Sequence, residues 1–300
     1  MYDIIIAGGG PAGITAGIYA ARARLKTVIL EKLMPGGQAA VTDYIENYPG
    51  FPEGISGSDL MAHMQEQAEE FGCEFETGEV TAVDTEEKTL STPFQTYRWK
   101  SLIIATGADP RQLGVPGEES FTGRGVSFCA TCDGALFSGK NVAVVGGGDS
   151  AVKEAMFLTK FASTVFVIHR RQELRAEKII QEKAFANDKI TFIWDSVVTQ
   201  ITGDQRVNSL QVKHVKTEKI SDLPVDGVFV YIGRVPNTAL FNVHKDAHGY
   251  IITDEDMHTS LQGVFAAGDC RKKTHRQVAT AVGDGAAAAM SAESFLAELE

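Results

Sequence analysis

Hydrophobic residues along this chain gather in short unbroken runs rather than strict alternation, the pattern of strands buried on both faces. The runs predict strands over residues 3–7 (Asp3-Ile4-Ile5-Ile6-Ala7), 26–30, 102–107, 141–145, 164–168, 227–233 and 263–269. Helical spacing fills several of the gaps: an Ala-rich stretch to about Arg24, Ser58 to Phe71 (with Leu60, Met61, Met64, Ala68 and Phe71 in phase), Ser150 to Phe161, and Gln277 to Leu299. Phe75 to Thr92 alternates weakly and reads as small strands, and Ile190 to Ser221 reads as further β structure with charged faces. Glycine and proline density makes loops of 35–38 and 46–52 and linkers of 114–118 and 234–238. Strand, helix and strand in repeated succession predict an α/β fold with parallel sheets.

Two of these strand–helix–strand units carry the same glycine signature. The first runs into Gly8-Gly9-Gly10-Pro11-Ala12-Gly13, then the helix, then a strand with Glu31 at its end. In that setting glycines permit a tight turn, close approach of a pyrophosphate to backbone, and helix–strand packing. The helix N-terminus favours the phosphate charge, and Glu31 is placed to accept from a ribose hydroxyl. The second unit repeats the signature 138 positions on, with Gly146, Gly148 and Ala151 at the start of a helix. Register is kept as well: 23 positions separate Gly8 from Glu31 and Gly146 from His169. Where the first unit presents an acid, the second presents His169-Arg170-Arg171, with Arg175 beyond. An acid repels a 2′-phosphate and arginines hold one bidentately, so the first site suits a cofactor with a free ribose and the second suits NADPH. The runs 102–107 and 227–233 close the two units, and the first ends in Ala105-Thr106-Gly107, a small-residue turn able to touch a cofactor. Two Rossmann-like dinucleotide-binding domains are expected.

Between the two signatures stands Cys129-Ala130-Thr131-Cys132-Asp133-Gly134. A Cys-x-x-Cys pair beside a βαβ unit reads as a redox dithiol. Zinc normally takes four ligands and no second Cys/His cluster stands at ligand spacing, so no metal is expected. Thiol–disulfide exchange needs a thiolate that is nucleophilic near neutral pH and a second thiol to resolve the mixed disulfide. The residues after the pair suggest a helix N-terminus or tight turn, which lowers a thiol pKa. Asp133 reads either as a helix cap or as a proton donor. Cys73 and Cys270 stand alone and read as small packed residues.

The 300 residues leave room for two domains and a substantial core. A formal charge of −11 with no offsetting basic stripe excludes general nucleic-acid binding. The one dense basic cluster, at 169–175, suits a single phosphate group. No apolar run approaches the length of a membrane span. Met1-Tyr2-Asp3 opens straight into a strand without a charged leader, and the cysteines do not form a secreted disulfide framework, so a cytoplasmic location is expected.

On these residues the chain resembles, almost from end to end, the low-molecular-weight, bacterial-type thioredoxin reductases among the class-II pyridine nucleotide-disulfide oxidoreductases. Further marks of the resemblance are Gly36-Gly37-Gln38, Glu46-Asn47-Tyr48-Pro49-Gly50, Gly146-Gly147-Gly148-Asp149-Ser150-Ala151 and Gly268-Asp269. It implies an FAD domain split into residues 1–114 and 238–300, with an NADPH domain that carries the dithiol inserted at 115–237. FAD would be bound by Gly8, Gly10, Pro11, Ala12, Gly13, Glu31, Gly37, Gln38, Asn47, Ala105, Thr106 and Gly107. Gly268 and Asp269 would reach its ribityl and phosphate region, and Arg276, Gln277 and Val278 its isoalloxazine. NADPH would fall to Gly146, Gly148, Asp149, Ser150, Ala151, His169, Arg170, Arg171 and Arg175. Hydride would pass from NADPH to FAD, then to a Cys129–Cys132 disulfide, then to oxidised thioredoxin. The resemblance makes Cys129 the attacking thiol, Cys132 the resolving thiol nearer the flavin, Asp133 the acid that protonates the leaving thiol, and the assembly a homodimer.

The dithiol and the nicotinamide site share the inserted domain yet must both reach one flavin. Segments 114–118 and 234–238 are therefore expected to serve as hinges for domain rotation. Alternatives from the sequence are a flavin disulfide reductase serving another thioredoxin-like or peroxiredoxin-linked carrier, and one taking electrons from a ferredoxin, against which the arginines speak. A non-enzymatic flavin sensor using the dithiol as a switch is the alternative of a different class.

Overall fold

The computed structural model describes residues 1–299 apart from 43, 44 and 46, with all of Cys132 except its side chain. The chain divides into two compact units, Met1–Asp109 with Val235–Glu300, and Pro110–Arg234. No helix among the described residues is long and apolar enough to cross a membrane.

In the first unit the strand Tyr2–Ala7 lies between Thr27–Glu31 and the far half of Thr96–Ile104, all parallel. Glu74–Thr77 extends one edge and Val264–Ala266 the other. The near half of Thr96–Ile104 pairs antiparallel with Thr89–Ser91, and that strand with Ala82–Asp84. Side chains alternate across a strand, so Ile4, Ile6, Ile29 and Ile103 face the helices Pro11–Arg22, Gly57–Glu70 and Val278–Ala297. Ile5, Val28, Leu30, Leu102 and Ile104 pack on the other side with Leu90, Trp99, Phe241 and Ile251. Both faces are covered, which is why these strands read as unbroken apolar runs. The small residues of Val278–Ala297 serve close helix packing: a Cβ at Gly285 would stand 2.1 Å from the Ala12 carbonyl oxygen.

The second unit holds a parallel sheet in the order Ile190–Ile193, Thr164–Ile168, Asn141–Gly146, Gly227–Tyr231, Val126–Ser127. The helix Asp149–Leu158 covers one face, setting Ala151, Ala155 and Leu158 on Val142, Val144, Val165 and Phe229. A three-stranded antiparallel sheet (Ser196–Gly203, Val207–His214, Ile220–Pro224) covers the other, with Val198, Ile201 and Leu210 on Ala143, Val145 and Val228. A helix not expected from the sequence, Lys178–Phe185, buries Ile180 and Ala184 beside Val152 and Leu174. It spans only about two turns, too short a run for a helical period to register.

Residues 114–118, expected as a linker, form a packed turn. Glu118 is only 3% exposed, and its carboxylate accepts the N–H groups of Leu113 and Gly114 at 2.8 and 2.7 Å. Gly117 has a φ of 91°, and a Cβ there would stand 2.0 Å from the Ile201 carbonyl oxygen. Likewise Arg234–Pro236, within the other expected linker, is a strand paired with Ala108–Pro110. Glycine and proline mark turns of either kind, and only tertiary packing separates a turn from a tether.

Candidate active site

The first glycine loop begins where the strand Tyr2–Ala7 ends. Gly8 has a φ of 109°, and a Cβ there would stand 2.4 Å from the Ala105 carbonyl oxygen, so the turn Ala105-Thr106-Gly107 lies against the loop. Gly9 N–H donates to Glu31 Oε2 at 2.8 Å and Leu33 N–H to Oε1 at 3.3 Å, making Glu31 a brace for the loop through both oxygens. Gly10 caps the 12-residue helix that follows with no side chain on the free N–H groups. A Cβ at Gly10 would meet nothing within 4 Å. Such a helix end presents about half a positive charge to whatever enters that space. Pro11 takes the first helical position, where its missing N–H costs nothing.

Neighbouring segments close around this loop. Gly36 N–H donates to the Gly9 carbonyl at 2.7 Å, and the Cβ position of Gly37 lies 3.3 Å from Gly10 Cα, with Gln38 exposed on the same short helical turn. The Cβ position of Gly268 lies 2.9 Å from the Ala12 methyl. Asn47 Nδ2 donates to Gln277 Oε1 at 2.9 Å, joining two of the expected residues across 230 positions. Gln277 also caps the helix Val278–Ala297, and Val278 packs on the core. Glu46, part of the motif around Asn47, lies outside the described residues.

Two polar residues here were not anticipated. Asn237 holds the Ala105–Gly107 turn by three bonds: Thr106 Oγ1 donates to its carbonyl at 2.6 Å, its N–H to Gly107 at 3.0 Å and its Nδ2 to Thr106 at 3.2 Å. Asp284, 8% exposed, accepts from Gly268 N–H at 3.0 Å, Lys273 Nζ at 2.8 Å and Arg271 Nε and Nη2 at 2.9 and 3.1 Å. Burial works against its charge, yet Arg271 and Lys273 hold its pKa below the ordinary carboxylate value. Lys273 Nζ also lies 3.9 Å from Asp269 Oδ1. An acid in an otherwise Ala-rich helix was the one signal that could have found Asp284. Arg276 lies 4.3 Å over the Tyr250 ring, and its buried Nε has no hydrogen-bond partner among the described residues. An open helix end, vacant space at Gly10 and an orphaned guanidinium donor fit a dinucleotide diphosphate and its hydrogen-bonding ring.

The second loop repeats the construction. Gly146 has a φ of 151°, and its Cβ position lies 2.3 Å from the Tyr231 carbonyl oxygen. Gly148 caps the helix Asp149–Leu158 with no side-chain bond and no atom within 4 Å of its Cβ position. His169 takes the place of Glu31: its ring lies 2.4 Å from the Cβ position of Gly147, and Nε2 meets the Glu173 carbonyl at 3.1 Å. Burial, aided by Arg175, Arg171 and Arg170, lowers its pKa and keeps the imidazole neutral. Arg175 N–H donates to the Gly147 carbonyl at 2.7 Å and Glu177 N–H to Asp149 Oδ1 at 2.7 Å, tying the arginine turn to the loop. Ala151 is fully buried, while Ser150 is exposed. Arg170, Arg171 and Arg175 are exposed and make no ion pair among the described residues, as suits guanidiniums that serve a phosphate.

Cys129 belongs to this second unit and is disulfide-bonded; the side chain of Cys132 lies outside the described residues. Ser127 Oγ accepts the Cys129 N–H at 3.1 Å and donates to the Cys129 carbonyl at 3.2 Å. Ala130–Asp133 is a single helical turn running into a tighter one, Gly134–Phe137, so the helix N-terminus expected after the cysteines is a tight turn with little dipole. Asp133 is half-buried and makes no capping bond, which removes the helix-cap reading of that acid. Tyr231 Oη accepts the Ala130 N–H at 2.7 Å. On the adjoining helix, Glu154 has a buried Oε2 without a hydrogen-bond partner among the described residues, and burial pushes its pKa up to about 7. The remaining thiols are free and buried. Burial pushes Cys73 up to about 12 and Cys270 up to about 11, values at which neither is a nucleophile.

The family model described as pyridine nucleotide-disulphide oxidoreductase matches residues 2–285. A thioredoxin reductase of Listeria innocua serovar 6a is 47% identical over 305 residues, covering 100% of this chain and 95% of that protein. The crystal structure of Lactococcus lactis thioredoxin reductase in its FR conformation aligns with a TM-score of 0.94 at 47% identity, covering 99% of this chain and 100% of that one. The thioredoxin reductase of T. acidophilum aligns at 0.90 with 35% identity, covering 100% and 99%.

Proposed function

The chain belongs to the pyridine nucleotide-disulphide oxidoreductase family, and from that premise we propose that it is a thioredoxin-disulfide reductase using NADPH and FAD. The observation that carries the reading is the disulfide turn at Cys129, set in one unit with a glycine loop flanked by three arginines that make no ion pair among the described residues. Full-length similarity to thioredoxin reductases supports it.

The chemistry FAD supplies when bound is uptake of an electron pair as hydride and its delivery to a disulfide. The first loop, with Gly8, Gly10, Pro11, Ala12, Glu31 and Gly37, would hold that cofactor's diphosphate and ribose, and Gly13 packs the helix start against Gly8 beneath them. Gln38, Asn47, Gly268, Asp269, Arg276, Gln277 and Val278 would hold the remainder. In the second unit Gly148 opens the helix end to the NADPH pyrophosphate. Arg170, Arg171 and Arg175 hold the 2′-phosphate, and His169 keeps the loop in shape beneath them. In the reduced state the Cys129 thiolate attacks one sulfur of the thioredoxin disulfide. A mixed disulfide forms, and the departing sulfur takes a proton from Asp133. Cys132 then attacks Cys129, restoring the internal disulfide and releasing reduced thioredoxin. Two electrons leave the enzyme dithiol, and NADPH must return them. We place this activity in the cytoplasm and in a homodimer, which sedimentation of the purified protein checks.

The test is steady-state turnover of the flavin-loaded protein with thioredoxin, comparing NADPH with NADH. Cys129→Ser and Cys132→Ser should each abolish thioredoxin reduction while NADPH still bleaches the flavin anaerobically. Replacing Arg171 or Arg175 by Ala should raise KM for NADPH about tenfold or more and leave NADH unchanged, the scale of a lost charge-assisted bond. Thioredoxin reduction surviving either serine variant defeats the assignment.

A further inference from the structure

Ala130 is fully buried, and as the first residue of a one-turn helix its N–H has no partner within that turn. A buried N–H must be paired, and the acceptor is the Tyr231 hydroxyl at 2.7 Å. Tyr231 closes the strand Gly227–Tyr231, and its own carbonyl lies against Gly146 of the second loop. One residue thus touches both the cysteine turn with its side chain and the nucleotide loop with its backbone. From the opposite direction Ser127 holds the Cys129 backbone by two bonds. We propose that Tyr231 is a positioning residue for the redox turn, its hydroxyl clamping Ala130 so that Cys129 keeps its conformation in the disulfide state. This deepens the reading of the turn as the redox centre and rests on it.

Two further observations agree. Burial, with the Glu154 carboxyl as the next contribution, pushes the titration of the Tyr231 phenol upward, so it stays a neutral acceptor across the working pH range. Gly134, which opens the next turn, lies against Leu158 and Phe157 of the helix that also carries Glu154, and against Phe161 just beyond that helix. The turn therefore rests on a largely apolar platform.

The clamp has different worth in the two redox states. With a disulfide at Cys129, an Ala130 N–H deprived of Tyr231 loses the acceptor it holds in this structure. In the reduced turn the Cys129 thiolate can draw N–H groups of its own turn toward itself, as thiolates at helix starts do. Tyr231→Phe, which removes one oxygen and keeps the ring, should therefore favour the dithiol.

The experiment equilibrates the holoenzyme with reduced and oxidised dithiothreitol, scoring Cys129 by thiol labelling. Each exchange converts one protein disulfide and one dithiothreitol dithiol into protein dithiol and cyclic disulfide, so the electrons balance. Tyr231→Phe should shift that equilibrium about tenfold toward the protein dithiol, about 30 mV for a two-electron couple. It should also speed Ala130 amide exchange at least tenfold, while flavin reduction by NADPH stays within twofold. Phe229→Leu, a packing change on the same strand, should leave the equilibrium where it was. An unchanged equilibrium in Tyr231→Phe, an equal shift in Phe229→Leu, or a parallel tenfold loss of flavin reduction overturns the proposal. Thioredoxin takes no part in this measurement, so a wild-type protein unable to reduce thioredoxin defeats the proposed function and leaves this result to be read separately.

Discussion

The Gly268 N–H donates to Asp284 Oδ2 at 3.0 Å, and the same carboxylate holds Arg271 and Lys273. The turn that carries Asp269 is thereby fixed to the last helix by a buried anion between two cations.

Asp284→Asn keeps the shape and removes the charge, leaving both cations facing a neutral amide. Breaking one side of a buried ion pair costs roughly 3–5 kcal/mol. A lower urea midpoint and faster flavin loss on dilution are the expected outcomes. The pH dependence carries a sign. Asp284 is held below its ordinary pKa, so its contribution is present above the unfolded-chain value of about 4 and is lost as pH falls through the folded value. Below about pH 4 the wild type should lose stability more steeply than the asparagine variant. Equal slopes would remove Asp284 from the account.

Gly148→Ala and Gly13→Ala separate a ligand-facing glycine from a packing one. A Cβ at 148 meets nothing within 4 Å among the described residues beyond its chain neighbours, and the backbone there is extended, so melting should be unchanged. The methyl group instead occupies the space left for phosphate, and KM for NADPH should rise about tenfold or more, the cost of a lost charge-assisted contact. At Gly13 a Cβ would stand 1.8 Å from the Gly8 carbonyl oxygen, and that variant should yield little folded protein. Thermal melting and NADPH titration of the two variants decide the matter.

Glu154 titrates near 7 because burial disfavours its charge. The folded chain therefore binds a proton that the unfolded chain, with an ordinary carboxyl near 4.3, has already released. Stability should fall as pH rises from about 4.3 to about 7 and level off above, since over that interval the unfolded chain ionises while burial keeps the folded carboxyl protonated. Glu154→Gln resembles the protonated form and should flatten that slope in urea titrations across the same interval. A slope identical to wild type would mean that Glu154 stays ionised in the fold.

Both glycine loops, the arginines in register with Glu31 and the Cys-x-x-Cys turn were legible because each is written within a few dozen consecutive residues. Some loop glycines are dictated by a local clash, such as Gly13 against the Gly8 carbonyl, that recurs wherever a strand feeds such a helix. The arginines follow from counting along one strand–helix–strand unit, and the parallel strands from apolar runs that must be covered on both faces. Misreadings arose where turn chemistry was the only signal. Residues 114–118 read as a tether, yet Glu118 is buried and clasps their backbone.

The residues that hold the sites in shape were settled by tertiary structure alone. Asn47 meets Gln277 across 230 positions, Thr106 meets Asn237 across 131, and Ala130 meets Tyr231 across 101. Each partner is an ordinary polar residue with no motif around it. The order of strands in the sheet carries it to its place, and a buried N–H or carbonyl must find whichever acceptor or donor that order brings within 3 Å. The sequence by itself therefore determined which chemistry the chain can perform, because phosphate cradles and dithiols are short-range patterns. The fold decided which side chains keep that chemistry in register, because hydrogen-bond partners are chosen by proximity in space.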